Sequence, residues 1–502
     1  MRFRYACGFA RAGFLFDTDV IKTYVLIKLC MVEHDVRALS QLQQLFDMQR
    51  AALGREPVPS LETRLDRLQA LRRMVIENRQ NFRDALAADF GVHHPWLVDL
   101  METGPVVGRV KYAEAHLKGW LAPQIVDLGG EHGSSRGEIL QLPKGVCGNI
   151  APWNFPIESA LVMCADMLAA GNRVIVKPSE LAPATAQAVA GAVAAAFDPE
   201  VLGVVQGGPD LAQAFAAMPW DHLTFTGSPR VGRMVAQAAA ANLVPVTLEL
   251  GGKNPALFAP DAVTHDLVRL FLSFRTLKAG QVCTSPDYVM VPEDQLERWA
   301  ALACTIWREA YPAYVGHPDS TGIINDAHFG RLMSYLEEAR GRGVRLVGLN
   351  DDVPDPARRQ FPPILVIDPP SDLKCMTEET FGPVIPLVPY KTVDAAISRI
   401  NAGLSPLGSY IATHDEALAR RFVTHVRSGG SAVNNFGLQG GHVALPFGGF
   451  GNSGQGCHGA HEGFCNYTHT KSVFYGAADS IVHAVLAPPL SELTAMAANG
   501  VY

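Results

Sequence analysis

The sequence predicts an α/β protein built on two doubly wound parallel sheets, and three observations predict it. Between residues 143 and 250 short apolar runs alternate with helix-length stretches. That pattern lays a parallel sheet beneath helices on both of its faces. A second alternating series follows Cys283. Finally, 502 residues with 48% hydrophobic side chains suffice for several cores.

The first 30 residues differ from the rest, being basic and aromatic. Asp17, Asp19, Lys22 and Lys28 interrupt the apolar core that a signal peptide requires. No stretch of the chain reaches the ~18 apolar residues of a membrane span, so no stable membrane anchor is expected. Met31 directly precedes helix-like sequence. Residues 1–30 are therefore expected to be an extension, disordered or upstream of a natural start at Met31. Residues 36–52 and 60–90 read as helices. Ser60 can cap the second, where Leu61, Leu65, Leu68, Leu71, Val75, Phe82 and Leu86 keep a helical spacing.

From residue 143 the runs "GVCGNIAPW", "RVIVKP", "VLGVVQG", "HLTFTG" and "VPVTLEL" read as strands. The stretches 157–170, 182–197, 209–218 and 229–241 between them read as helices. The second series is "DYVMV", a helix near 294–310, "PPILVI", "VIPLVPY", a helix near 393–402, "GSYIAT" and a helix near 415–427. The stretch "LPFGGFGNSGQG" (445–456) formally contains GxGxxG at Gly449, Gly451 and Gly454. A dinucleotide fingerprint needs a strand before it and a helix after it within one βαβ unit, so this copy reads as a tight loop.

Charge and cysteine usage narrow the class. A formal net charge of −7 gives no general pull toward nucleic acid. Nine scattered cysteines without a CxxC argue against a disulfide framework and for a reducing, cytoplasmic compartment. "CHGAHEGFC" offers Cys457, His458, His461 and Cys465, but at no common zinc spacing, and no metal site is expected.

Ligands of such sheets bind beyond the carboxyl ends of the strands. Five stretches lie there. "APWNFP" carries Asn154, "VKPSE" carries Lys177 and Glu180, and "FTGSPRVG" carries Gly227, Ser228 and Gly232. "LELGGKNP" carries Glu249 and "GQVC" carries Cys283. Each residue has a plainer reading: a structural thiol for Cys283, an ion-pair partner for Glu249, a helix cap for Asn154 and a surface acid for Glu180.

Together with "EETFGPV" and "PFGGFGNSG", these motifs in this order resemble the aldehyde dehydrogenase superfamily from about residue 35 to 476. The likeness is greatest to the coniferyl aldehyde dehydrogenase branch, near the dimeric class 3 enzymes. The resemblance implies an aldehyde dehydrogenase-like fold, with a small oligomerisation arm (124–142 and 464–476) beside the two doubly wound sheets. It implies an NAD-binding domain (31–123 and 143–250), a catalytic domain (251–445), a C-terminal tail (477–502) and a homodimer.

The same resemblance implies roles. Cys283 would attack the aldehyde, and Asn154 with the Cys283 N–H would hold the oxyanion, each such donor being worth about 3 kcal/mol. Glu249 would activate water against the thioester. Gly227, Ser228 and Gly232 would meet the pyrophosphate at a helix N-terminus. Lys177 and Glu180 would hold the adenosine ribose, favouring NAD while leaving NADP possible. Glu379, Phe381 and Trp153 would line the nicotinamide cleft. The expected reaction is NAD(P)-dependent oxidation of an apolar or aromatic aldehyde to the free acid. A coenzyme A-acylating dehydrogenase and a catalytically silent NAD-binding protein are the alternatives.

Overall fold

The computed structural model describes residues 18–500, with side chains from residue 36 onward. Up to Asp17 the expected extension lies outside the described residues, and one helix runs from Thr18 to Arg55. The predicted 60–90 helix is two helices, Leu61–Glu77 and Arg79–Phe90. Asn78 breaks it by folding its side chain back onto the Met74 carbonyl at 2.9 Å, a competition with the helix ladder that Asn makes readily. Ser60 does cap the first of them, accepting from the Thr63 N–H.

Strands β1 (Gln124–Val126) and β2 (Arg136–Pro143) come first. Then follow β3 (Val146–Ile150), β4 (Arg173–Lys177), β5 (Leu202–Val204), β6 (His222–Gly227) and β7 (Val246–Leu250). These five are parallel, in the spatial order β7-β6-β3-β4-β5. Every residue of β3 and β4 is buried, because helices cover both faces. The order reverses between β3 and β6, and at such a point the loops part and leave a crevice for a ligand.

The second sheet holds β8 (Pro255–Phe258), β9 (Tyr288–Pro292), β10 (Arg345–Gly348), β11 (Ile364–Ile367), β12 (Val384–Tyr390), β13 (Gly408–Ala412) and β14 (Gly430–Val433). Its order is β10-β11-β12-β9-β8-β13-β14, parallel except for β10. The sequence reading passed over β8, β10 and β14, each only four residues long. Runs that short carry little periodicity. The glycine-rich loop supplies β15 (Gly454–Gln455), an antiparallel edge on β7 that sets Gly454 opposite Glu249. Gly454 has φ +149, and a Cβ there would meet the Leu248 carbonyl oxygen at 2.1 Å, so only glycine fits.

A third sheet, β1-β2-β16, is completed by β16 (Thr468–Tyr475), antiparallel to β2 from Thr468 opposite Pro143 to Tyr475 opposite Arg136. It unites the two segments that the resemblance assigned to an arm.

Candidate active site

The approach to Cys283 is a strained turn held from outside. Lys278, Ala279 and Gly280 take φ values of +48, +54 and +73. For the two non-glycine residues this left-handed conformation costs about 1 kcal/mol each. Gln281, wholly buried, donates to the Lys278 and Gly322 carbonyls at 3.0 Å and accepts from the Ile324 N–H at 3.1 Å. Asn254, just before β8, donates to the carbonyls of Cys283 (2.7 Å) and Ser285 (3.0 Å). Beneath the turn, buried Arg275 donates to Ser285 Oγ, Thr380 Oγ1 and the Val384 carbonyl. Cys283 itself is partly exposed. Burial of its sulfur, with the carboxyls of Glu379, Glu158 and Glu249 nearby, raises the thiol pKa above the ordinary value. Cys147, Cys164, Cys304 and Cys375 are buried. Cys457 and Cys465 are partly exposed as well, so exposure alone does not distinguish Cys283.

Asn154 lies in the loop after β3. It does not cap the following helix, whose cap residue is Ile157. Its amide instead donates to the Gln281 carbonyl at 3.1 Å, two residues before Cys283, which leaves its second N–H to donate elsewhere. Glu249 is 3% exposed, and neither of its carboxyl oxygens has a hydrogen-bond partner among the described residues. An ion-pair role is therefore not what the geometry offers. Burial first, and then the Glu158 carboxyl, raise its pKa well above the ordinary carboxylate value. A carboxyl raised in this way is a stronger base than an ordinary carboxylate and is suited to take a proton from a water.

The residues expected to meet a dinucleotide line the same sheet edge. Gly227 ends β6, in register with Leu250 beside Glu249. Ser228 caps the helix Pro229–Ala240, accepting from the Val231 N–H. A Cβ on Gly232 would meet Leu250 Cδ2 at 2.6 Å, so this helix start lies close against β7. Pro229 is its first residue, where a missing N–H costs nothing. Lys177, at the end of β4, is buried and donates to Glu180 at 2.8 Å, while the Glu180 carboxylate stays 40% exposed. A capped helix N-terminus after β6, with an open carboxylate after β4 on the other side of β3, suits a pyrophosphate and a ribose.

Deeper in, the Trp153 and Phe381 rings meet edge to face at 5.4 Å. Phe381 has φ +43. The neighbouring Glu379 is pushed up to about 8 by burial and by Asp287, with a Gly252 N–H opposing. Thr380 fixes this stretch by donating to Asp287 through its N–H (2.8 Å) and hydroxyl (2.6 Å). Among the described residues no group of three or more His, Cys, Asp or Glu side chains could hold a metal. Of "CHGAHEGFC", His458 is buried and Cys465 Sγ lies 3.5 Å from His461 Nε2.

Several residues of this site escaped the sequence reading. Asn254 stands within "LELGGKNP" and Lys278 within "KAGQVC", both quoted for their neighbours. Arg275 and Asp287 carry no local signal for their bonds to Thr380, which lies about a hundred residues further along the chain.

The model of the aldehyde dehydrogenase family matches residues 44–473. The chain is 36% identical over 462 residues to the probable coniferyl aldehyde dehydrogenase of Caulobacter vibrioides, covering 90% of this chain and 94% of that protein. It is similar to the substrate-bound AldH of Staphylococcus aureus, with a TM-score of 0.86, 30% identity, and 92% and 99% of the two chains covered. A mutant aldehyde dehydrogenase C of Pseudomonas syringae, complexed with NAD+ and octanal, matches with a TM-score of 0.77 and 28% identity over 87% of this chain and 89% of that one.

Proposed function

The chain belongs to the aldehyde dehydrogenase family and is an NAD(P)-dependent aldehyde dehydrogenase; from that premise we propose that it oxidises an apolar or aromatic aldehyde, of the coniferyl aldehyde kind, to the free carboxylic acid. Cys283 Sγ, as thiolate, attacks the carbonyl carbon and forms a thiohemiacetal. The free N–H of the Asn154 amide and the Cys283 N–H hold the oxyanion. The dinucleotide, when bound, supplies the hydride acceptor. The remaining thioester on Cys283 is hydrolysed by a water that loses its proton to Glu249.

Gly227, Ser228, Gly232, Lys177 and Glu180 bind the adenosine half and the pyrophosphate. Glu180 accepts from the ribose hydroxyls and disfavours a 2′-phosphate, so NAD is the preferred cofactor. Glu379, Trp153 and Phe381 position the nicotinamide half. The segment after β14 supports an apolar substrate: Gly440 lies against Phe447 and against Thr284, the neighbour of Cys283. The outer strand β16 has no partner along one edge among the described residues, and its Phe474 and Tyr475 are exposed. That edge supports a homodimer. No described helix is long and apolar enough to cross a membrane. The free cysteines fit a reducing, cytoplasmic setting.

The observation that carries water as the acyl acceptor is the unpartnered buried carboxyl of Glu249 close to Cys283. A panel of aromatic, short and long aliphatic aldehydes, run with NAD and with NADP, tests the substrate class. Cys283→Ala is expected to abolish reduction of the dinucleotide. Glu249→Gln is expected to keep the first turnover and accumulate acyl-enzyme. An unchanged steady-state rate in Glu249→Gln, or a rate that requires coenzyme A, would overturn hydrolysis by this base.

A further inference from the structure

An ammonium group is buried where the two halves of this site meet. The side chains of Lys278 and Glu102 are both fully buried. Lys278 Nζ donates to Glu102 Oε1 at 2.6 Å and to the main-chain carbonyl of Asn154. Its remaining surface faces the Phe155 ring, with the nitrogen 4.2 Å from the ring centre. The second oxygen of Glu102 accepts the N–H groups of Ile157 and Glu158, at 3.1 and 3.0 Å. Those N–H groups open the helix Glu158–Ala169 that follows the Asn154 loop.

The two charges therefore grip the Asn154 segment from both ends, at Asn154 itself and at the helix start. The same lysine heads the left-handed turn that leads to Cys283. Such a turn keeps its conformation only when its surroundings over-determine it. A buried pair of this kind is a costly way to gain stability, since apolar side chains of similar volume do as well or better. Its use here is geometric.

We propose that Lys278, paired with Glu102, is a positioning residue for the oxyanion site: it sets the Asn154 amide against the Cys283 loop. The proposal rests on the reading of Asn154 as the oxyanion donor. An ammonium on a carbonyl and a carboxylate is a fixed tie in a dry interior. The aromatic ring beneath it resists its withdrawal. Without the tie the Asn154 side chain keeps its hydrogen bond to Gln281, but its main chain loses the Lys278 anchor, and the amide loses its set distance from the reacting carbon.

Removal of one partner leaves the other charge unpaired in the interior and can unfold the protein. The informative variant is therefore the double change Lys278→Gln with Glu102→Gln, which leaves no charge behind. A displaced donor of about 1 Å costs about 10²-fold in rate. Single-turnover reduction of NAD is expected to slow by about that factor in the neutral pair. The KM for NAD is expected to hold, since no dinucleotide contact is lost.

A cycle with Asn154→Ala separates the possible outcomes. In the Asn154→Ala background the neutral pair should produce no further slowing, because a lysine acting through Asn154 has nothing left to position. Multiplying effects in the cycle, or a loss of melting temperature with full single-turnover rate, would overturn the proposal and leave the pair a structural tie. Full activity of Asn154→Ala itself would instead remove the oxyanion reading on which the proposal stands.

Discussion

Gly251 follows β7 and faces the carboxyl of Glu379. A Cβ built there would lie 2.0 Å from Glu379 Oε2, 2.8 Å from its Cδ and 3.1 Å from Oε1. Gly251→Ala therefore asks the carboxyl to retreat. An ordinary contact is ~3.5 Å, so Oε2 must withdraw by roughly 1.5 Å. The backbone at Gly251 is not left-handed, so alanine adds no conformational strain and the loss is confined to what Glu379 touches. If Glu379 positions the nicotinamide half of the cofactor, a shift of that size should slow hydride transfer by about 10²-fold, or ~3 kcal/mol of barrier. The assay is single-turnover formation of reduced dinucleotide at saturating aldehyde and NAD, beside the melting temperature. The expected result is slow transfer in a folded protein. Combining Gly251→Ala with Glu379→Gln should add little, since both act through one carboxyl. Wild-type transfer in a folded Gly251→Ala protein would refute the reasoning, because it would separate the Glu379 position from the rate.

Two further outcomes follow from the buried groups. The raised Cys283 thiol predicts that alkylation of the cofactor-free protein keeps accelerating as pH rises past the ordinary thiol value of 9.0. A plateau near neutral pH, read from iodoacetamide inactivation rates, would contradict the burial and the carboxyls as its causes. The folded-state pKa of Glu249 lies above 4.5, so the native protein keeps a proton that the unfolded chain has lost. Stability attributable to this group therefore falls as pH climbs from 4.5 toward the folded value, by up to about 1.4 kcal/mol per pH unit. Glu249→Gln removes that loss. Urea midpoints at a series of pH values should show the variant gaining on wild type as pH rises, and a constant difference would count against an unpartnered carboxyl.

The architecture was legible because it is written locally. The helices 158–169, 183–196 and 393–402 lie within one residue of their expected limits at each end, since each is bounded by turn residues and carries a continuous helical stretch. Strands buried on both faces read as short apolar runs for the same reason. Of the four-residue strands in the second sheet, β11 was read from "PPILVI" while β8, β10 and β14 escaped notice, because pairing with neighbours is what makes runs this short into strands.

What the sequence alone determined is the order of elements and the placing of Asn154, Lys177, Gly227 and Glu249 at strand ends, because periodicity and turn chemistry act over a few residues. Tertiary structure decided what those positions became. Glu249 and Glu180 look alike in sequence, as acids at or just past the end of a strand. One is buried with no hydrogen-bond partner among the described residues, and the other stays open to solvent beside Lys177. Lys278 reads as one more charged residue until the fold brings Glu102 against it across 176 positions of chain. Burial and charge pairing depend on what packs around a group, and only the folded chain supplies those neighbours.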